Sequence, residues 1–215
     1  MTHGNHATTP AEYPMSTKQR LAERWAQRRL GRIDHERRVA AIASILFELT
    51  RARHQLGLAE KRMLLLAAAL HDVGRRVDDK RHPTVGARMI LASPSLPFTG
   101  SERRSIAYLT RYHRGAVPEI GYDDILAPSD GRKRLRLVLA LLRAADALDG
   151  RQVESPRLVF ALSGRRLLIT CYFDETAAKA RRILKRRKKF RLLQELLDIK
   201  IDLQTHQVDA MQAVA

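Results

Sequence analysis

The chain has 215 residues, 45% of them apolar and 5% aromatic, with one cysteine, Cys171. That length allows one sizeable core plus an appendage, and a single thiol excludes an intrachain disulfide framework and suits a reducing cytoplasm. Forty Lys and Arg against 23 Asp and Glu leave a net charge of +17, which either attracts polyanions such as nucleic acid, nucleotides or polyphosphate, or simply makes a basic soluble surface. No uncharged apolar stretch is long enough to span a bilayer and no signal peptide is visible at the start, so a cytoplasmic protein is expected.

Residues 1–16 lack periodicity and read as a flexible tail. Thr17 to Leu30 reads as an amphipathic helix with Leu21, Trp25 and Leu30 apolar, ended by Gly31. Asp34 reads as the N-cap of a second helix, His35 to about Arg53, whose stripe is Val39, Ile42, Ile45, Leu46 and Leu49. His54 falls in the polar connection that follows and reads as solvated.

A third helix runs from Leu58 to about Val73, and its unbroken apolar stretch from Leu64 to Leu70 ends on His71, Asp72 and Gly74. After a polar loop, His82-Pro83 opens a short helix, Pro being suited to a first turn, with Val85, Met89 and Ile90 on its apolar side. Ser93 to Pro97 is a loop, and a helix from about Ser101 to His113 carries Ile106 and Leu109. Ala116 to Gly131 reads as irregular. The next helix, about Lys133 to Leu148, is strongly apolar yet contains Asp146, and Asp149-Gly150 closes it.

After Pro156 the composition shifts to Val, Ile, Leu, Phe and Tyr. Arg157–Leu162 and Arg166–Phe173 form an expected β-hairpin around Ser163-Gly164-Arg165. Asp174 to Leu197 reads as a long basic helix and Ile199 to Leu203 as a third strand. The expected architecture is mainly α: a helical bundle over 17–152, a small α+β region over 156–205, and a frayed tail over 206–215.

An isolated charge in an apolar setting costs several kcal/mol, about the scale at which pairing or metal binding becomes necessary. His35, His71, Asp72, His82, His113 and Asp146 all sit at helix termini or on apolar helices. One helix-end histidine is ordinarily solvated or bonded to backbone; the set is far more specific than its members. Imidazoles with carboxylates suit one or two divalent ions, whether Mn, Fe, Ni, Co, Mg or Zn. Cysteine takes no part, which argues against a structural zinc site. A mixed His/Asp site keeps positions open for water and substrate, so a bound ion would activate the water and polarise a phosphoryl oxygen. Arg75, Arg76, Arg111 and Arg114 lie close in sequence and are able to hold phosphate in bidentate fashion.

Nine Lys and Arg fall between Lys179 and Arg191. Arg181, Arg182, Lys185, Arg186, Lys188 and Lys189 make a docking face for polyphosphate, RNA or DNA, without an aromatic platform for stacking. The plainer alternative is a solvated face whose apolar side, Ile183, Leu184, Phe190, Leu193 and Leu197, packs on the hairpin.

The order His35, His71-Asp72, Asp146 resembles the signature of the HD superfamily of metal-dependent phosphohydrolases, with His82 and His113 where its two-metal members place further histidines. The stretches DHERRVAAIASILFELT, LAAALHDVGRR, IAYLTRYHRGAVPE and LALLRAADALDGRQ are similar to the C-terminal HD region of the exopolyphosphatase/guanosine pentaphosphate phosphohydrolase family. The similarity runs over roughly residues 17–203 and takes in the hairpin, basic helix and last strand. It implies a metal site with His71 and Asp72 as catalytic groups, Arg75 and Arg114 on the phosphate, and a homodimer as one arrangement. That family's phosphatase activity belongs to an actin-like domain with glycine-rich phosphate loops; these residues contain no such loop, so that activity does not carry over. Alarmone hydrolases match poorly, because Arg75 and Arg76 rather than a Glu-Asp pair follow Asp72 by the turn. Cyclic-di-GMP phosphodiesterases match poorly too, because Gly121-Tyr122 precedes Asp123 instead of Pro. The expected function is a stand-alone metal-dependent phosphohydrolase of a phosphate ester or anhydride, be it a nucleotide, an alarmone or polyphosphate. The alternative is a non-catalytic polyanion-binding or regulatory module.

Overall fold

The computed structural model describes residues 15–150, 157–173 and 187–207. Residues 1–14 and 208–215 of the expected tails, the connection at 151–156 and most of the expected basic helix, with Arg181, Arg182, Lys185 and Arg186, lie outside the described residues. Of the rest of those tails, Ser16 caps the first helix, and His206 and Gln207 continue the last strand.

Among the described residues seven helices precede the sheet: α1 (Thr17–Leu30), α2 (Asp34–Leu49), α3 (Arg51–His54), α4 (Leu58–Leu70), α5 (His82–Ala92), α6 (Gly100–Tyr112) and α7 (Arg132–Asp149). The helix α4 is the hub, packing against α1, α2, α6 and α7. Its sequence allows this because it is apolar almost all round, and Leu64, Leu66, Ala67, Ala68, Ala69 and Leu70 are buried. On one side Trp25, Ile33, Ile90, Leu96 and Ile106 complete a core between α1, α4, α5 and α6. On the other, Val39, Leu46, Phe47, Leu109, Leu139 and Leu142 fill the space between α2, α4, α6 and α7.

The strands β1 (Arg157–Ser163), β2 (Arg166–Phe173) and β3 (Lys200–Gln207) form one sheet in the order β1-β2-β3. The first pair is antiparallel, with Phe160 opposite Ile169, and β3 runs parallel to β2, with Leu203 opposite Ile169. Burial alternates along β1 as the period of a strand requires. A 3-10 turn, Arg187–Phe190, leads into α8 (Arg191–Leu197) before β3. Leu167, Ile169 and Cys171 of β2, with Phe190, Leu193 and Leu197, belong to the same core as α2 and α7. The chain is thus mainly α with a small sheet, as its composition suggests.

Three local expectations change. The helix α2 begins at Asp34 itself, with Ile33 at the cap position, and the Asp34 carboxylate pairs with Arg32 instead of capping. The expected single helix to Arg53 breaks at Thr50, whose hydroxyl bonds back to the Leu46 carbonyl, and α3 follows. His54 is not solvated but buried: its Nε2 donates to the Phe47 carbonyl and its Nδ1 accepts from the Leu56 amide.

Candidate metal centre

The ends of five helices converge at the core. His35 lies in the first turn of α2, His71 caps α4, Asp72 follows it, His82 opens α5, His113 caps α6, and Asp146 lies in the last turn of α7. All six are buried. The turn that carries Asp72 is pressed against α5 at Gly74, where a Cβ would lie 2.4 Å from the His82 carbonyl oxygen and 2.6 Å from the Gly86 nitrogen. Only glycine permits that approach, and it brings His82 to Asp72.

Each histidine is anchored through Nδ1. The Nδ1–H groups of His71, His82 and His113 donate to the carbonyls three residues earlier, Ala68 at 2.8 Å, Asp79 at 2.6 Å and Thr110 at 2.7 Å. For His71 and His113 these are carbonyls that a helix end leaves without an intrahelical donor. The Nδ1–H of His35 donates to Asp149 Oδ2 at 2.5 Å, and Arg38 Nε holds Asp149 Oδ1 at 2.6 Å. With the Nδ1 proton committed, the Nε2 of a neutral ring carries a lone pair.

Those Nε2 atoms face inward and crowd one another. His35 and His71 stand 3.2 Å apart at Nε2, and His82 and His113 stand 3.3 Å apart. Asp72 lies between the pairs. Its Oδ2 is 3.6 Å from Nε2 of both His35 and His71, while its Oδ1 is 2.9 Å from His82 Nε2 and 3.4 Å from His113 Nε2. Asp146 Oδ1 completes the first group, 3.4 Å from His35 Nε2 and 3.8 Å from His71 Nε2.

Two neutral imidazoles in this tautomer cannot hydrogen-bond to each other through Nε2. A cation between them resolves the conflict. Bonds of about 2.1 Å separate ligand atoms by about 3.0 Å at right angles and about 3.4 Å at tetrahedral angles. The two Nε2–Nε2 separations, 3.2 and 3.3 Å, fall in that range, and the carboxylate oxygens lie 2.9 to 3.8 Å from the imidazoles. The donor set therefore fits a divalent ion, and His35, His71 and Asp72 form one group able to hold it, with Asp72, His82 and His113 a second. The anchored Nδ1 atoms are the outer contacts that metal-binding histidines use to fix ring and tautomer.

Electrostatics agrees. Burial pushes the His113 pKa down to about 4, helped by the neighbouring His71, so its ring is neutral at pH 7. For Asp72 burial favours the neutral acid, and only positive charge at His71, with N–H donation from His113 and His82, would hold its carboxyl well below its usual range. Neutral rings anchored through Nδ1 do not supply that charge, whereas a cation between them would. For Asp146 the same penalty is overcome chiefly by Lys189, then by His35. For Asp149 the hydrogen bonds from His35 and Arg38 overcome it.

The arginines separate. Arg75 stays at the site, with Nη1 3.7 Å from Asp72 Oδ2 and a further bond to Asp79. Arg114 is exposed directly after His113, Arg76 is exposed, and Arg111 lies over the Tyr112 ring. Lys188 is exposed, whereas Lys189 turns inward and donates to Asp146 Oδ2. Three participants are not evident from motif spacing. Arg38 is one turn after His35 and looks like part of a polar face. Asp149 looks like a helix terminator, although a second acid three residues after Asp146 on an apolar helix is a signal. Lys189 is hidden in a run of like charges.

No curated protein matches the chain. Among the described residues no helix is long and apolar enough to cross a membrane. The family model described as Ppx/GppA phosphatase, domain III, matches residues 18–207, which takes in every helix end that builds the site and the sheet beyond it. The chain belongs to the Ppx/GppA phosphatase domain III family.

Proposed function

We propose that the chain is a metal-dependent phosphohydrolase acting on a phosphate ester or anhydride: a nucleotide, an alarmone or polyphosphate. The observation that carries this reading is the convergence of four imidazole Nε2 atoms on Asp72, each ring anchored through Nδ1. His35, His71, Asp72 and Asp146 would hold one divalent ion, and Asp72, His82 and His113 a second. When bound, such ions lower the pKa of a water and polarise a phosphoryl oxygen. Arg75, partly exposed beside Asp72, would orient the phosphate, and Arg114 would add charge from the loop after His113. His71 and Asp72 carry the catalytic roles through the ion they bind. A cytoplasmic setting and a homodimer belong to the same proposal.

The experiment is elemental analysis of the purified protein beside a His71→Ala, Asp72→Ala double variant, followed by a phosphatase substrate screen with and without metal. Stoichiometric metal and metal-dependent hydrolysis in the wild type, both lost in the variant, are expected. Equal hydrolysis by metal-stripped and metal-loaded protein would sink the reading.

A second reading, a non-catalytic polyanion-binding or regulatory module, is favoured by the net charge of +17 and by exposed Arg187 and Lys188. It expects polyphosphate or RNA binding that weakens steeply with salt and survives the double substitution.

A further inference from the structure

Asp146 presents its two oxygens in different directions. Oδ1 faces the His35 and His71 Nε2 atoms at 3.4 and 3.8 Å. Oδ2 accepts a hydrogen bond from the Lys189 ammonium. That lysine arrives from a distant part of the chain, on the 3-10 turn before α8, and its placement is not incidental. The next residue, Phe190, is buried in the core with Leu193 and Leu197, which fixes the turn against α7. Arg187 and Lys188 point to solvent, while the Lys189 side chain is only 17% exposed. A lysine ordinarily leaves its head group in water, so one drawn in this far is held by its anion.

We infer that Lys189 is a positioning residue: by holding Oδ2 it fixes Asp146 so that Oδ1 alone is offered to the histidine cluster. The inference rests on the metal-dependent reading. An aspartate binds a cation through one oxygen or through both, and the second oxygen would take a position that water or a phosphoryl oxygen needs. The ammonium keeps that second oxygen occupied. It follows that the helical residues alone do not make the working site; the segment after β2 completes it.

The test uses Co(II) as a spectroscopic probe on the full chain, with Lys189→Met and Lys189→Arg beside the wild type and p-nitrophenyl phosphate as a generic substrate. Lys189→Met is expected to bind Co(II) at least as tightly as the wild type. Its visible absorption should fall about twofold as Asp146 adds its second oxygen, and kcat should fall about tenfold with KM changed less than about threefold. Lys189→Arg should restore most of the wild-type spectrum. If Lys189→Met does not fold, Lys189→Gln is read in the same way. A wild-type spectrum in the neutral variant, whatever its affinity or stability, overturns the inference. A wild type that takes up no Co(II), or a His71→Ala variant that keeps the spectrum, overturns the metal-dependent reading instead.

Discussion

Asp72 Oδ1 lies 2.9 Å from His82 Nε2, while the other oxygen of the same carboxylate faces His35 and His71 at 3.6 Å. One aspartate thus serves two histidine pairs that do not share a helix end. His82→Ala is expected to remove one metal equivalent and leave the other, and His35→Ala to do the reverse. Asp72→Ala is expected to lose both. Elemental analysis after gel filtration counts them; if each single histidine variant lost all metal, one shared ion would replace the two.

Asp149 acts at one remove. Fully buried, it accepts the His35 Nδ1–H and is itself held by Arg38. Removing such an outer partner typically costs about 10–100-fold in metal affinity. Asp149→Asn keeps the shape and loses the charge, so calorimetric titration with Mn(II) is expected to show a drop of about tenfold, with Asp149→Ala lower still. Unchanged affinity beside a lowered Tm would assign Asp149 to the stability of the fold alone.

The candidate ligands are legible as a set, and three of them because they break a pattern. Asp146 interrupts an apolar helix, and His71-Asp72 ends an apolar run, so their burial had to be explained. Arg38 breaks no pattern, since it sits among charges, and Asp149 breaks one only weakly: an acid beside Gly150 reads as a helix end, and its spacing of three from Asp146 is the one signal it gives. His54 reads as solvated in the sequence because its burial depends on α3 folding back on Phe47, a tertiary contact that Thr50 to His54 do not announce. The third strand was legible as a strand, since Ile199 to Leu203 alternate, but its parallel pairing with β2 depends on how α8 docks on α7. Lys189 looked like its neighbours because charge alone does not show which lysine in a run faces an acid.

Gly74 is a steric requirement. A Cβ there would lie 2.4 Å from the His82 carbonyl oxygen, and backbone cannot swing aside as a side chain does. Gly74→Ala must push α5 away from the Asp72 turn, at a cost of about 3 kcal/mol, the upper range for overpacking. In a chain of this size that lowers Tm by roughly 6–12 °C. The pair of His82 and His113 should lose metal before the pair of His35 and His71. Gly86→Ala is the contrast: its Cβ would first meet the Thr110 side chain at 3.1 Å, so a much smaller loss is expected. Equal Tm shifts in the two variants would remove the steric argument.

Asp130 ties the loop before α7 to α6. Its Oδ2 accepts from Arg104 Nε at 2.8 Å and the Ala127 amide at 2.9 Å, and its Oδ1 accepts from Ser101 Oγ at 2.8 Å. The Arg104 hydrogen bond above all, with Ser101 and Ala127, brings its pKa down to about 2 against the opposing effect of burial. The folded value lies below that of an unfolded aspartate, near 3.9, so below about pH 4 the unfolded chain takes up the proton more readily. The stabilisation is therefore complete above about pH 5 and is lost as pH falls towards 2. Its full size would be about 2.5 kcal/mol, but the Arg104 side chain is 34% exposed, and screening reduces the expected value to about 1–2 kcal/mol. Asp130→Asn should lose that amount in urea unfolding at pH 7, and the gap to wild type should narrow as pH falls below about 5 and close only below about pH 2. A gap that stayed constant across this range would place the stabilisation in the shape of the hydrogen bonds and not in the charge of the carboxylate.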